Sequence, residues 1–396
     1  RPVLSRLSLR VATGYTGNIN KTVKPNLMMK YYKNFRISDD ENYRMGYINN
    51  APNPKLRWEK TRDVKVALDF GLWKDRINGI VEAYWRKSKD CVTSVPVTTG
   101  FFNQSYNTSV LQNNGVEFSL SVAVLKSKDY NLSVSANVAW NQNKLKKYNS
   151  PNTSLALDKY VGYPMGAVFS GKYEGIDPET GMYKFKLRPD AVTNKDGYLR
   201  EPNNYYYYLG TSVAPFTGGF NLNFSYKNIG LSVGGSYSVK AKMVDNIESP
   251  AGYELLSGSK LESIPTPHND LYRNHLNVKR EVRNRWTPEN RTGVKYPRLI
   301  DAYGKKLGLD LTNPTLTTIT RGALLEDISY LRINTIALSY SLPQRVLERI
   351  NFSSAALNLT LNNFFTITKY SGIDPEVPGA TYPVSRSVTI GLNVGF

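Results

Sequence analysis

Ser385-Arg-Ser-Val-Thr-Ile-Gly-Leu-Asn-Val-Gly-Phe396 ends the chain, and its reading decides the fold. Val388, Ile390, Leu392, Val394 and Phe396 fall on alternate positions, with Ser387, Thr389, Gly391, Asn393 and Gly395 between them. Successive side chains of a strand point to opposite faces, so one face of this segment is apolar and the other small or polar. A two-faced strand that ends flush on an aromatic suits the closing strand of a transmembrane β-barrel. The edge strand of a soluble β-sandwich is the competing reading.

Composition narrows the choice. No stretch of about 18 consecutive apolar residues is present, so a membrane-spanning helix is not available and any crossing must be made by strands. Arg1 and Pro2 follow no initiator Met or apolar signal core, which predicts a piece of a longer exported precursor. Cys91 is the only cysteine, excluding an internal disulfide framework and arguing against a cysteine-built zinc site. His268 and His275 lie seven apart in a loop-like stretch and read as solvated polar surface. The 28 tyrosines and the Asn-rich segments suit a barrel, whose strands are only half apolar.

Other segments repeat the alternation. Leu7, Leu9 and Val11 define a first strand, and a long basic stretch follows to about Arg57, read as a loop. Val64, Val66, Leu68, Phe70 and Leu72 share one face, with Asp63, Lys65, Ala67, Asp69 and Gly71 on the other. A turn near Lys74 and Asp75 gives a hairpin with the strand from Ile77 through Trp85, which fades near Cys91. A loop is expected from Val92 to Gln112, then strands from Val116 to Val124 and from Leu132 to Trp140. The stretch to Pro215 carries a weakly signalled strand pair, Ala167 to Tyr173 and Tyr183 to Leu187, and a tyrosine run from Tyr205 to Tyr208 read as loop. Strands follow at Phe220 to Tyr226 and Leu231 to Tyr237, then the longest loop, about Val244 to Leu325. Ile336 to Tyr340, a helical turn at Pro343 to Ile350, Leu357 to Leu361 and a loop through Gly372 to Gly379 lead into the last strand.

This gives about ten strands whose connections sort by length. Counting back from a downward last strand, the short turns near Lys74, Lys128, Asn228 and Gln344 fall on one side, and the long loops fall on the other. Barrels of the bacterial outer membrane have short periplasmic turns and long extracellular loops, so Phe396 is placed at the periplasm. Trp58, Trp85 and Trp140 then sit near the outer ends of their strands on the lipid-facing parity, where an aromatic girdle belongs. The fold class is therefore all-β, a transmembrane antiparallel β-barrel with long extracellular loops.

Several segments resemble one family, the SusC/RagA-like TonB-dependent outer-membrane transporters. They are Leu7-Ser-Leu-Arg-Val-Ala-Thr-Gly-Tyr-Thr-Gly-Asn18, Asn113-Asn-Gly-Val-Glu-Phe-Ser-Leu120, Gly162-Tyr-Pro-Met-Gly166, Gly175-Ile-Asp-Pro-Glu-Thr-Gly181, Asn284-Arg-Trp-Thr-Pro-Glu-Asn290, Tyr330-Leu-Arg-Ile-Asn334, Leu361-Asn-Asn-Phe-Phe365 and Gly372-Ile-Asp-Pro-Glu376. Their order along the chain carries the likeness. The resemblance implies that residues 1–396 supply about 10–12 carboxyl-terminal strands of a 22-stranded barrel, with the plug domain and the first half of the barrel lying elsewhere. An open half-barrel would leave unpaired backbone groups in hydrocarbon, each costing on the order of several kcal/mol, so the remaining strands must come from the same protein or another chain. The resemblance further implies import of oligosaccharides or peptides with a SusD-like surface lipoprotein and with the TonB complex acting through a plug. A passive porin, or a structural component of a larger envelope assembly, is the alternative.

Chemistry adds little beyond this. No phosphate loop and no paired histidines at metal spacing appear, so no catalytic residue, cofactor or metal is expected. Asp177, Glu179, Asp374 and Glu376 flank prolines and read as turn formers ahead of calcium ligands. The net charge of +19 concentrates between Lys21 and Lys60 and between Arg273 and Lys306, both read as loops. Lipopolysaccharide phosphates or the acidic face of a lid protein would meet these cations, or an anionic cargo would, and no groove-reading motif points to nucleic acid. Arg285 and Trp286, a planar cation beside an aromatic, and Tyr205, Tyr206, Tyr207 and Tyr208 are the candidate substrate contacts. Phe396 is the candidate barrel-assembly signal.

Overall fold

The computed structural model describes residues 3–19, 28–36, 44–95, 103–148, 160–179, 181, 183–191, 205–244, 283–295, 321–378, 380 and 382–396. Its strands are β1 (Leu4–Asn18), β2 (Met28–Arg36), β3 (Arg44–Ala51), β4 (Glu59–Leu72), β5 (Ile77–Val95), β6 (Asn103–Lys126), β7 (Tyr130–Tyr148), β8 (Ala167–Ile176), β9 (Tyr183–Lys186), β10 (Tyr206–Thr211), β11 (Phe216–Tyr226), β12 (Ile229–Val239), β13 (Lys242–Val244), β14 (Leu325–Asp327), β15 (Tyr330–Ser341), β16 (Ser354–Thr368) and β17 (Ser387–Gly395). Two compact units are formed, Arg1–Met165 with Pro215–Ser232, and Gly166–Ala214 with Val233–Phe396.

In the first unit the order is β1-β4-β5-β6-β7-β11, each strand antiparallel to its neighbours. Val11, Val66, Ala83, Val116, Trp140 and Phe216 stand directly opposite one another across six strands, so the alternation seen in each segment becomes one continuous apolar row. The opposite face carries charge in compensated pairs. Arg10 meets Asp69 at 2.6 Å, Arg86 meets Asp63 at 3.0 Å and Lys65 meets Glu82 at 3.4 Å. Short connections at Trp73–Arg76 and Ser127–Asp129 lie at one end of these strands, as the loop parity requires.

The second unit repeats this logic in the order β12-β15-β16-β17. Leu357, Leu359 and Leu361 face Leu392, Ile390 and Val388 in register, and Tyr340, Leu338 and Ile336 on the other side. A one-turn helix, Gln344–Arg349, and the segment to Ser353 make the shorter connection, with Leu347 buried beneath it. Phe396 sits at that same end, its ring edge-on to Phe352 at 5.1 Å, and Ser353 N donates to Gly395 O at 2.9 Å. Among the described residues β1 in the first unit pairs only with β4, and β17 in the second pairs only with β16, so each unit has an open strand edge.

Four loops of the sequence reading contain strand. The basic stretch before Arg57 holds β2 and β3, an antiparallel pair, with β3 running parallel to the start of β6. The expected loop from Val92 to Gln112 is ladder almost throughout, because β5 and β6 stay paired from Ile77↔Val122 to Val95↔Gln104. Register shifts flank Cys91, and Asp90 has φ of 60°, so the bulge turns the side chains over and interrupts the alternation that would have revealed the strand. The tyrosine run enters β10, which joins the weakly signalled pair as a three-stranded sheet, β10-β8-β9. β13 and β14, at the two ends of the longest loop, pair with each other. His268 and His275 lie outside the described residues.

Candidate functional site

The segments carrying the family resemblance meet in pairs, and the contacts are polar and specific. Gly-Ile-Asp-Pro-Glu occurs twice, at Gly175–Glu179 and Gly372–Glu376. In each copy the aspartate Oδ1 accepts the N–H of the glutamate two residues on, at 2.8 Å for Asp177 and 2.9 Å for Asp374. This is the turn-forming role expected of an Asp before Pro. Different partners then hold the two turns.

The first turn is held by an aromatic. Trp286, 8% exposed, donates Nε1–H to Pro178 O at 2.9 Å, across 108 residues of chain. The segment around it folds on itself. Thr287 and Asn290 bond each other's backbone at 3.1 and 3.0 Å, and Arg291 Nε donates to Pro288 O at 2.9 Å. Trp286 is therefore an anchor whose indole is largely covered, while Arg285 beside it is half-buried.

The second turn is held by an ion pair. Arg332 Nη2 donates to Asp374 Oδ1 at 2.6 Å, both side chains being 4% exposed. Arg332 Nη1 reaches Glu376 at 2.7 Å, and its Nε donates to Thr366 Oγ1 at 3.1 Å. Val384 N donates to Asp374 Oδ2 at 3.2 Å, so one carboxylate gathers both ends of the loop. Burial alone would push the Asp374 carboxyl up, but the N–H groups of Glu376 and Val384, with the Arg332 guanidinium, outweigh it and hold it below the ordinary range. Ser371 bonds Glu326 through both its N–H and its hydroxyl, and Tyr370 packs on Ala241 and Ile328, fixing the loop's first residues.

A third junction lies in the first unit. Asn143 Nδ2 donates to Asn113 Oδ1 at 2.7 Å and its Oδ1 accepts Met165 N at 2.7 Å, joining the Asn113–Leu120 and Gly162–Gly166 motifs. Nearby, Asn53 Nδ2 donates to Ser105 O at 2.7 Å, and Asn107 bonds both Arg57 and Asp90. These side chains hold the chain between Pro52 and Arg57 against the upper part of β5 and β6.

The tyrosines divide by parity. Tyr206 and Tyr208 stand opposite Gly171 and Phe169, and Phe185 opposite Tyr173, so five aromatic rings share one face of β10-β8-β9. Phe169 and Tyr208 lie 5.7 Å apart, Tyr173 and Phe185 6.0 Å. Tyr207 points the other way and donates to Leu187 O at 2.8 Å, and burial pushes the Tyr205 phenol up. Ser170, on the second face, is 1% exposed beneath the turn Arg321–Leu324. That turn comes so close that a Cβ on Gly322 would collide with Gly171 O, so only glycine fits.

Sequence reasoning placed Arg285, Trp286, the tyrosines and Phe396, but missed Arg332 and Asn143. The available signal for Arg332 was an arginine inside a strand, on the parity opposite Leu331 and Ile333. Among the described residues no group of three or more His, Cys, Asp or Glu is placed to hold a metal ion.

Comparison with known proteins bears on this architecture. The TonB-dependent receptor SusC of Bacteroides thetaiotaomicron is 26% identical over 427 residues, covering 100% of this chain and 38% of its own length. TonB-dependent receptor P26 of Formosa agariphila is 25% identical over 386 residues, 88% of this chain and 36% of its own. A solved structure of the RagAB peptide transporter superposes over 100% of this chain and 41% of that one, with a TM-score of 0.75 and 26% identity. The chain thus spans less than half the length of the relatives it matches. The family model for the TonB-dependent receptor-like β-barrel matches residues 4–250. The chain belongs to the TonB-dependent receptor-like β-barrel family, whose members live in the Gram-negative outer membrane.

Proposed function

We propose that this chain is the carboxyl-terminal part of the barrel of an energised importer of oligosaccharides or peptides. A SusD-like lipoprotein acts as its external lid, and the TonB complex acts through a plug. The observation that carries this reading is likeness along the whole chain to both SusC and the RagAB peptide transporter. The latched turns support it, because they hold loop segments on the side that faces the medium.

Within this reading Arg285 and the tyrosines at 205–208 contact cargo, Trp286 holds Arg285 in place, and Phe396 serves barrel assembly. The cations of the 283–295 segment meet lipopolysaccharide or the lid. The test is uptake of a labelled maltodextrin and a labelled peptide by cells carrying the full-length protein, with and without TonB. Uptake that needs TonB, together with co-purification of a surface lipoprotein, is expected. Entry that persists without TonB would replace the proposal with the passive porin.

A further inference from the structure

One row of the first unit's sheet has no counterpart among its compensated charges. Tyr15, Arg62, Lys87, Gln112 and Lys144 stand directly opposite one another across β1, β4, β5, β6 and β7. They lie on the face that carries Val11, Val66, Ala83, Val116 and Trp140, an even number of residues further along each strand. Between the two rows comes Trp85 beside Val64, and beyond them Lys60 stands opposite Lys89. Trp58 lies over Gly17 in that last row, where a Cβ would meet its ring at 3.0 Å.

Two like-charged pairs, Arg62 with Lys87 and Lys60 with Lys89, therefore sit face to face. Directly opposed like charges destabilise a sheet. On the inner face of the same strands three cations have a carboxylate, Arg10 with Asp69, Lys65 with Glu82 and Arg86 with Asp63, and Arg6 bonds the Asn78 amide oxygen. On the outer face Lys60, Arg62, Lys87 and Lys89 are exposed and none forms an ion pair among the described residues. The contrast within one set of strands leaves the outer cations open to an anion from outside the sheet.

We infer that this row binds the phosphate groups of a lipid of the outer leaflet. The apolar row takes the acyl chains, Trp85 and Tyr15 mark the interface, and the cations follow where headgroups stand. The apolar row, the Trp85 row and the two cation rows follow one another without a break on one face, so a single lipid spans them all, acyl chains on the first and phosphates on the last, whereas an acidic protein docked on the rim would meet the cations alone. Arg62 presents a planar fork suited to two phosphate oxygens, and the lysines add point charges around it. The inference rests on the barrel's membrane placement and not on what is transported.

The test uses full-length protein reconstituted in phosphatidylethanolamine vesicles containing either lipid A or lipid A stripped of its phosphates. Lipid retained after detergent extraction is read by native mass spectrometry. Wild type is expected to retain the phosphorylated form about tenfold or more over the stripped one. A variant with Lys60→Gln, Arg62→Gln, Lys87→Gln and Lys89→Gln loses the preference, and one with Lys60→Arg, Lys87→Arg and Lys89→Arg keeps it. Equal retention of the two lipids by wild type, or an undiminished preference in the glutamine variant, overturns the inference. Should the glutamine variant fail to assemble, wild type in rising salt decides, because a phosphate-based preference falls and an acyl-based one does not. Loss of a bound acidic lipoprotein with unchanged lipid retention would assign the row to a lid, also overturning it. Failed lipid retention with normal TonB-dependent uptake leaves the import proposal standing.

Discussion

Arg332 and Asp374, 42 residues apart in the chain, form an ion pair at 2.6 Å in which neither side chain is more than 4% exposed. The pair fixes the loop from Ser371 to Val384 to β15. Replacing Arg332 with Met leaves a buried carboxylate without its cation and should lower the local opening free energy of that loop by about 3 to 5 kcal/mol. Hydrogen exchange of residues 371–384 reads this directly. Glu376→Gln, at a side chain 44% exposed, should cost under about 1 kcal/mol. Equal effects from the two substitutions would show that the burial of Asp374 does not matter.

Acid should act on the same loop. The Asp374 carboxyl lies below its ordinary value of 3.8, so it binds protons more readily in the unfolded than in the folded state. Its stabilisation is complete above that ordinary value and is lost as pH falls through the lower, folded one. Amide protection of the loop should stay level from about pH 8 to 5 and drop only below about pH 4. A decline centred near pH 6 would point to a different group.

Trp286 and Arg285 should separate cleanly. Trp286→Ala removes a buried ring and its bond to Pro178, and should raise exchange in 283–295 and in the Asp177 turn together, at a cost of about 3 to 5 kcal/mol. Arg285→Gln should leave exchange unchanged and weaken binding of an anionic glycan or acidic peptide several-fold in low salt. Unchanged binding in low salt would make Arg285 ordinary solvated surface.

Deleting Phe396 should lower the amount of assembled barrel in the membrane, read by heat-modifiable mobility. The ring is 91% exposed and touches Phe352, so its loss removes little packing within the unit. Normal barrel levels with lost uptake would contradict an assembly role.

Residues 1–396 expressed alone should not give a heat-modifiable, protease-resistant monomer in lipid. Each unit ends on a strand with an unpaired side, and hydrocarbon offers that side nothing to bond. A stable monomeric barrel from this piece would overturn the requirement for further strands.

The ten strands with clean alternation were legible in the sequence, from Leu7–Val11 to Val388–Val394, because a face against lipid and a face against polar surroundings impose period two. What escaped has physical reasons. The bulge at Cys91 breaks the period inside β5, and β8, β9 and β10 form a separate short sheet with aromatic rings on one face and the Arg321–Leu324 turn on the other, so tyrosines, serines and lysines mix along them. Trp286 and Arg332 show the same limit in the candidate site. An aromatic beside an arginine reads as a binding pair, yet whether it faces solvent or anchors a turn depends on Pro178, 108 residues away. Arg332 entered the sequence reading only within the Tyr330–Asn334 motif, since its carboxylate lies in another loop.

The 19-residue β5 and 24-residue β6 have a mechanical consequence. Crossing hydrocarbon takes about 9 to 11 residues, so at about 3.4 Å per residue this hairpin stands tens of ångströms proud of the bilayer. A ladder that stays paired on both sides of the Cys91 bulge as far as Val95 and Gln104, and is buttressed by Asn53 and Asn107, resists bending far better than a loop of equal length. Whatever rests on its tip is carried on a stiff mast, so a push or pull applied there is passed to the barrel frame with little lost in flexing.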